Sequence, residues 1–151
     1  ALPISADGGV LLAGSTEGSL GGPNAGLRDA FIASFDTDGN QRFITQFGTT
    51  ETDSVFEVRA VDGWIVATGS TEGDLGGASG ERDGVLVWLD TDGAVVAFDQ
   101  VGSSGIDDLT GLAVSVNDNV FYSGGTSADL FTTNEGDSDV VLGSATRPAD
   151  G

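Results

Sequence analysis

A chain of 151 residues has the length of one ordinary domain, and it buries a core of its own only if it closes on itself. A formal charge of −19, with five Arg and no Lys, sets it against nucleic acid and anionic membranes, and the absence of Cys and His removes disulfides, thiolate metal sites and the usual nucleophile–base pairs. Its 25 Gly follow no period of three and 38% of its residues are hydrophobic, which excludes collagen, disfavours disorder and leaves few Gly-free windows long enough for a helix.

Residues 1–5 read as the tail of an element, because they align with Ala60-Val61 and Val114-Ser115, and Asp7-Gly8-Gly9 then turns the chain. Val10-Leu11-Leu12-Ala13 predicts the first strand, a continuous apolar run between turn signals that recurs as Ile65-Val66-Ala67-Thr68 and Val120-Phe121-Tyr122-Ser123. The next phrase, Gly14-Ser15-Thr16-Glu17-Gly18-Ser19-Leu20-Gly21-Gly22, returns as Gly69-Ser70-Thr71-Glu72-Gly73-Asp74-Leu75-Gly76-Gly77. After a second interval of the same length it survives as Gly124, Thr126 and Leu130, and a fixed period of this kind marks a repeat architecture. Residues 17–28 form a Gly-rich loop too long for a tight hairpin, with counterparts at 72–82 and 127–137. Three such loops are expected to emerge on one side, where repeat proteins commonly bind.

Asp29–Phe35 predicts the next strand, matched by Asp83–Leu89 and by a third copy opening at Asp139. Asp36-Thr37-Asp38-Gly39 and Asp90-Thr91-Asp92-Gly93 follow, and an Asp-Gly pair between apolar runs predicts hairpins with type I′ turns. The returning strands are Arg42–Phe47 and Val95–Val101. The last segment of each unit, Ser54–Val61 and Asp108–Val114, reads as strand rather than helix, because Val55, Val58 and Val61 are poor helix formers and the second copy carries Gly111.

Each unit thus holds four short strands with apolar residues for both faces, which predicts an all-β fold of antiparallel, β-propeller-type blades. About two and a half units of about 54–55 residues are present: a partial copy over 1–8, repeats over 9–63 and 64–118, a partial repeat over 119–143, and a tail or linker over 144–151. A propeller closes with about four to eight blades. The expected partners are therefore the rest of a longer propeller chain or further copies of this one.

Gly-Ser-Thr with its Gly-rich loop, then Asp29-Ala30-Phe31-Ile32-Ala33-Ser34-Phe35-Asp36-Thr37-Asp38-Gly39-Asn40, then Gln46-Phe47-Gly48 and an acidic pair before a small apolar strand, resembles the bacterial β-propeller repeat called the SBBP repeat. The likeness covers almost the whole chain in register. It departs at Gly84, which stands where the repeat has a small apolar residue, and the third copy stops at Gly143. The resemblance implies a secreted or surface-displayed bacterial protein whose repeats serve as scaffold or binding module, and it supplies no catalytic residues.

For metal, the candidates are Asp36, Asp38 and Asn40, spaced at i, i+2 and i+4 as hard oxygen ligands to calcium often are, with Asp90 and Asp92 repeating the first two. Gly39 follows the second acid rather than the third, no Glu closes the loop, and Ala94 replaces Asn40, so the turn reading is preferred over the calcium reading. Glu17, Glu72 and Asp74 in the long loops are further candidates for cations or sugars, and Trp64 beside Asp62-Gly63 is expected to be half exposed. The function expected is a non-catalytic extracellular scaffold contacting a carbohydrate or a surface protein through the long loops. The alternatives are a carbohydrate-active enzyme working with carboxylates alone, for which no pair stands out, and a calcium-stabilised adhesin segment. No apolar run approaches the length of a membrane span, so no membrane insertion is expected, and any export signal is expected outside these residues.

Overall fold

The apolar runs bounded by Gly, Asp and Asn become strands throughout a computed structural model that describes Ile4 and residues 7–77, 80–131 and 133–148. The ten strands are β1 (Val10–Thr16), β2 (Asp29–Phe35), β3 (Gln41–Phe47), β4 (Asp53–Val61), β5 (Trp64–Thr71), β6 (Asp83–Asp90), β7 (Val95–Val101), β8 (Asp107–Val114), β9 (Val120–Thr126) and β10 (Asp139–Ala145). There is no helix among the described residues. The segment weighed between helix and strand is β4. Most of the expected opening element over 1–5, parts of the second and third long loops, and the end of the expected tail lie outside the described residues.

Two sequence boundaries move. β1, β5 and β9 extend through the Gly-Ser-Thr phrase and its third copy, so the phrase ends a strand before it opens a loop. β10 runs through Ser144 and Ala145, which belong to the sheet rather than to a tail.

The strands form three antiparallel sheets in sequence order: β1-β2-β3, β4-β5-β6-β7 and β8-β9-β10. The register repeats with the sequence: Thr16 faces Asp29, Thr71 faces Asp83, and Thr126 faces Asp139. β4 and β8 each carry a bulge, between Val55 and Glu57 and between Leu109 and Gly111. The bulged strand pushes its backbone toward β5 and β9. A Cβ on Gly69 would lie 1.9 Å from the Ser54 carbonyl oxygen, and one on Gly124 1.7 Å from that of Asp108, so at these two positions Gly is the one residue the space admits.

The hairpin turns differ from the expected type. At Asp36–Asn40 the Gly39 N–H donates to the Asp36 carbonyl (3.1 Å) and the Asp36 N–H to the Asn40 carbonyl (2.9 Å), with Gly39 at φ +83° and no positive φ at Asp38. That is a type I turn followed by a left-handed Gly, and Asp90–Ala94 repeats it with Gly93 at φ +89°. The two-residue loop with positive φ at both positions falls instead at Asp62-Gly63, between the paired Val61 and Trp64.

The sheets stack in series through two cores. Leu11, Ile32, Val55, Val58, Ile65, Val85, Val87 and Leu89 fill the junction of the first and second sheets. Val66, Leu86, Trp88, Leu109, Leu112, Val120 and Val141 fill that of the second and third. β5 and β6 are buried along nearly their whole length, since both of their faces are covered, and Trp88 is fully buried between two sheets.

Candidate functional site

The long loops emerge together at one end, where the strands begin with buried carboxylates. Asp29, Asp53, Asp83 and Asp107 are each 1% exposed, the first residues of β2, β4, β6 and β8. A carboxylate taken out of water requires donors, and the chain supplies them locally. Asp29 Oδ2 accepts from the Ala25 N–H and from Gln46 Nε2, both at 2.9 Å. Asp53 Oδ2 accepts from the Thr49 N–H (2.6 Å) and hydroxyl (3.0 Å), while Thr71 donates its hydroxyl to Oδ1. Asp107 Oδ2 accepts from the Ser103 N–H (2.7 Å) and hydroxyl (2.8 Å). Asp29 Oδ1 and Asp107 Oδ1 have no donor among the described residues.

Gln46 and Gln100 then fasten the loops. Gln46 Oε1 accepts from the Leu20 N–H (2.7 Å) and Gly21 N–H (3.1 Å), and its Nε2 also donates to the Gly18 carbonyl (3.0 Å). Gln100 does the same one repeat later, accepting from Leu75 N–H (3.0 Å) and donating to the Gly73 carbonyl (3.1 Å) and Asp83 Oδ2 (2.7 Å). The first two long loops are also tied forward to the next sheet: the Asp53 N–H donates to the Arg28 carbonyl and the Asp107 N–H to the Arg82 carbonyl, both at 2.7 Å. The first two long loops are thus fixed surfaces rather than free ribbons. The long loops present Leu27 and Phe131, 64% and 63% exposed, together with Leu20, and Ile106 of the β7–β8 connection is exposed beside them.

The hairpin acids lie at the opposite end, about 20 Å away along seven-residue strands. Asp36 Oδ1 accepts from the Asp38 N–H (2.9 Å) and Asn40 N–H (2.8 Å), and Oδ2 from the Asn40 amide (2.9 Å). Asp90 Oδ1 accepts from the Asp92 and Ala94 N–H groups at 3.0 and 2.8 Å. These carboxylates cap their own turns, and the Asn40 side chain offers its amide N–H to Asp36. Among the described residues no three acidic side chains converge as a metal would need. In the long loops Glu17 pairs with Arg28 at 2.9 Å, and Asp74 Oδ1 accepts from Gly76 and Gly77 N–H groups at 3.0 and 2.9 Å.

A cleft of about 700 Å³ opens between the first two sheets at the hairpin end, lined by Asp7, Leu11, Arg42, Asp62, Trp64 and Thr91. Trp64 is partly buried and packs against the second core, so its ring is committed to the fold, and Arg42 is paired with Asp7. No protein-family model and no curated protein matches the chain. The buried Asp and Gln network is not apparent from the sequence, although it leaves one signal there: Gln46 and Gln100 recur at the repeat interval, and each is followed at the second position by a Gly.

Proposed function

We propose that the three sheets are blades of β-propeller type and that the protein is a non-catalytic binding scaffold, secreted or displayed at a bacterial surface, that contacts a carbohydrate or a surface protein through its long-loop end. The blade reading is supported by the repeat of about 54–55 residues and by sheets stacked face to face in sequence order. Further sheets of the same repeat would complete the ring. The extracellular placement follows from the resemblance in the sequence.

The observation that carries the binding role is the pinned loop end. Gln46 and Gln100 commit both ends of their amides to holding the first and second long loops in place, and the third is held by the Asp129, Asn134 and Asp139 side chains accepting from its own backbone N–H groups; Leu27 on the first and Phe131 on the third stand out in water. A preorganised surface with exposed apolar residues favours a ligand, because little conformational entropy is lost on contact. The test is binding of the immobilised chain to a panel of soluble cell-surface polysaccharides and proteins. Leu27→Asp and Phe131→Asp should each weaken the observed interaction about tenfold or more, and Val96→Asp on β7 should leave it unchanged. Loop variants that bind as the parent does would overturn this reading. So would glycan hydrolysis that disappears on replacing one carboxylate.

A further inference from the structure

The two junctions between sheets share one register and are filled differently. On the second sheet Trp64, Val66 and Trp88 face the second core, with Val66 paired to Trp88. One repeat earlier the same places on the first sheet hold Gly9, Leu11 and Ser34, with Leu11 paired to Ser34. Both indoles of the second junction are therefore absent from the first. The facing wall recovers part of the volume, because Val87 and Leu89 stand where the third sheet has Gly143 and Ala145, and Ser34 is left only 4% exposed. The cleft of about 700 Å³ lies at this junction, with Leu11, Ser34 and Ile65 in its lining. The gap at the matching turns of the second junction, beside Asp62 and Asp118, is less than half that size, about 310 Å³. The larger cleft is interior to the stack, since its walls are the faces that the first and second sheets turn toward each other.

We propose that this cleft binds an aromatic cation, a flat ring carrying an ammonium group. The ring takes the kind of space that an indole fills in the sister junction, against Leu11 and Ile65, because a slot between two packed sheets accepts a flat apolar group edge-on. The charge preference comes from the mouth. Asp7, Arg42, Asp62 and Thr91 are exposed there, and Arg42, the cation in the lining among the described residues, is taken up by Asp7 and also feels Asp36. Asp62 is shared only with the exposed Arg147 at 3.4 Å. In a chain of net −19 such a mouth repels an organic anion and draws an ammonium toward Asp7 and Asp62. The cleft is at the opposite end from the long loops, so this site stands or falls separately from the loop-end reading, and it does not require the sheets to be propeller blades.

The experiment is an NMR titration of the 151-residue chain with tryptamine, indole and indole-3-acetate, in about 0.05 M and about 1 M NaCl. Tryptamine should saturate with a Kd at or below about 1 mM, moving the amides of Leu11, Ile65 and Thr91 while those of Leu109 and Leu112 in the second core stay still. At low salt it should bind about tenfold tighter than indole-3-acetate, and the difference should shrink at high salt. Ser34→Trp, which restores the residue of the sister junction, and Thr91→Trp should each weaken tryptamine about tenfold or more. Thr91 is exposed in its turn, so the second variant keeps the test open if the first does not fold. Arg42→Gln should tighten tryptamine about threefold by freeing Asp7. No saturable shift with any of the three compounds would overturn the site, and so would a folded Thr91→Trp that binds tryptamine as the parent does. Equal affinity for tryptamine and indole-3-acetate at low salt would overturn the preference for a cation.

Discussion

Gly84 shows how tightly neighbouring sheets are fitted. A Cβ there would lie 2.6 Å from Leu109 Cγ on the next sheet, whereas the first junction uses Ala30 with Val55 at the corresponding places. The departure from the repeat is thus a volume exchange across a junction. Gly84→Ala should cost about 1–3 kcal/mol by overpacking. Combining it with Leu109→Val should recover part of that, seen as favourable coupling of about 1 kcal/mol in a double-mutant cycle by urea denaturation. At Asp118 the strain is conformational: it occupies the left-handed position at φ 58° that Gly39 and Gly93 fill in the equivalent turns. Asp118→Gly should stabilise by about 0.5–1 kcal/mol, read as a higher urea midpoint with unchanged slope. Asp36 lies in a turn at the surface, yet the Asn40 side chain, and then the backbone N–H groups of Asn40 and Asp38, hold its pKa below the ordinary 3.8. A pKa depressed by folding stabilises the fold above the unfolded value and loses that contribution as pH falls through the folded one. The melting-temperature deficit of Asp36→Asn should therefore be largest near neutrality and shrink below about pH 4.

At the scale of elements, the loops are held by the strands that follow them. Removing Gln100 by Gln100→Ala takes a donor from Asp83 and leaves the Leu75 N–H without its acceptor, which should cost about 1–3 kcal/mol. Amide exchange should accelerate at Leu75 while β5 and β6 stay protected. The strands themselves were readable as apolar runs between Gly and Asp, and the long loops were readable as Gly-rich gaps. Their continuation through Gly-Ser-Thr was not, because its Gly reads as a break and the extension comes from pairing with the next strand, Thr16 with Asp29, Thr71 with Asp83 and Thr126 with Asp139. Asp38-Gly39 looked like a two-residue turn, but Asp36 recruits two further N–H groups and lengthens the loop to a type I turn. The carboxylate network was invisible because a buried Asp and an exposed one are the same letter. Only the fold brings Gln46 over Asp29.

For the whole molecule, charge dominates. All five Arg pair with an acid, and every one of these pairs is at least partly open to water, so each contributes at most about 1 kcal/mol. Five cations cannot balance 24 acids. Raising NaCl from about 0.05 M to about 1 M should therefore raise the melting temperature by several degrees, through screening. Calcium chloride at matched ionic strength should give no larger increment, since the carboxylates at Asp36 and Asp90 are already engaged by their own turns.

The forward ties between loops and sheets bear on how the chain assembles. Arg28 meets Asp53 and Arg82 meets Asp107 through their backbones, and Glu57 reaches one repeat ahead to the Leu112 N–H. These links, the exposed Arg147–Asp62 pair included, join each sheet to its immediate neighbour in the sequence. Such a chain has no need to hold an early segment unpaired until a distant one arrives. As it leaves a ribosome or a narrow pore, a sheet can form, wait with one flank wet, and be sealed by the next when one more repeat has emerged. Assembly becomes vectorial, and the growing end is the part exposed to misassociation at each step.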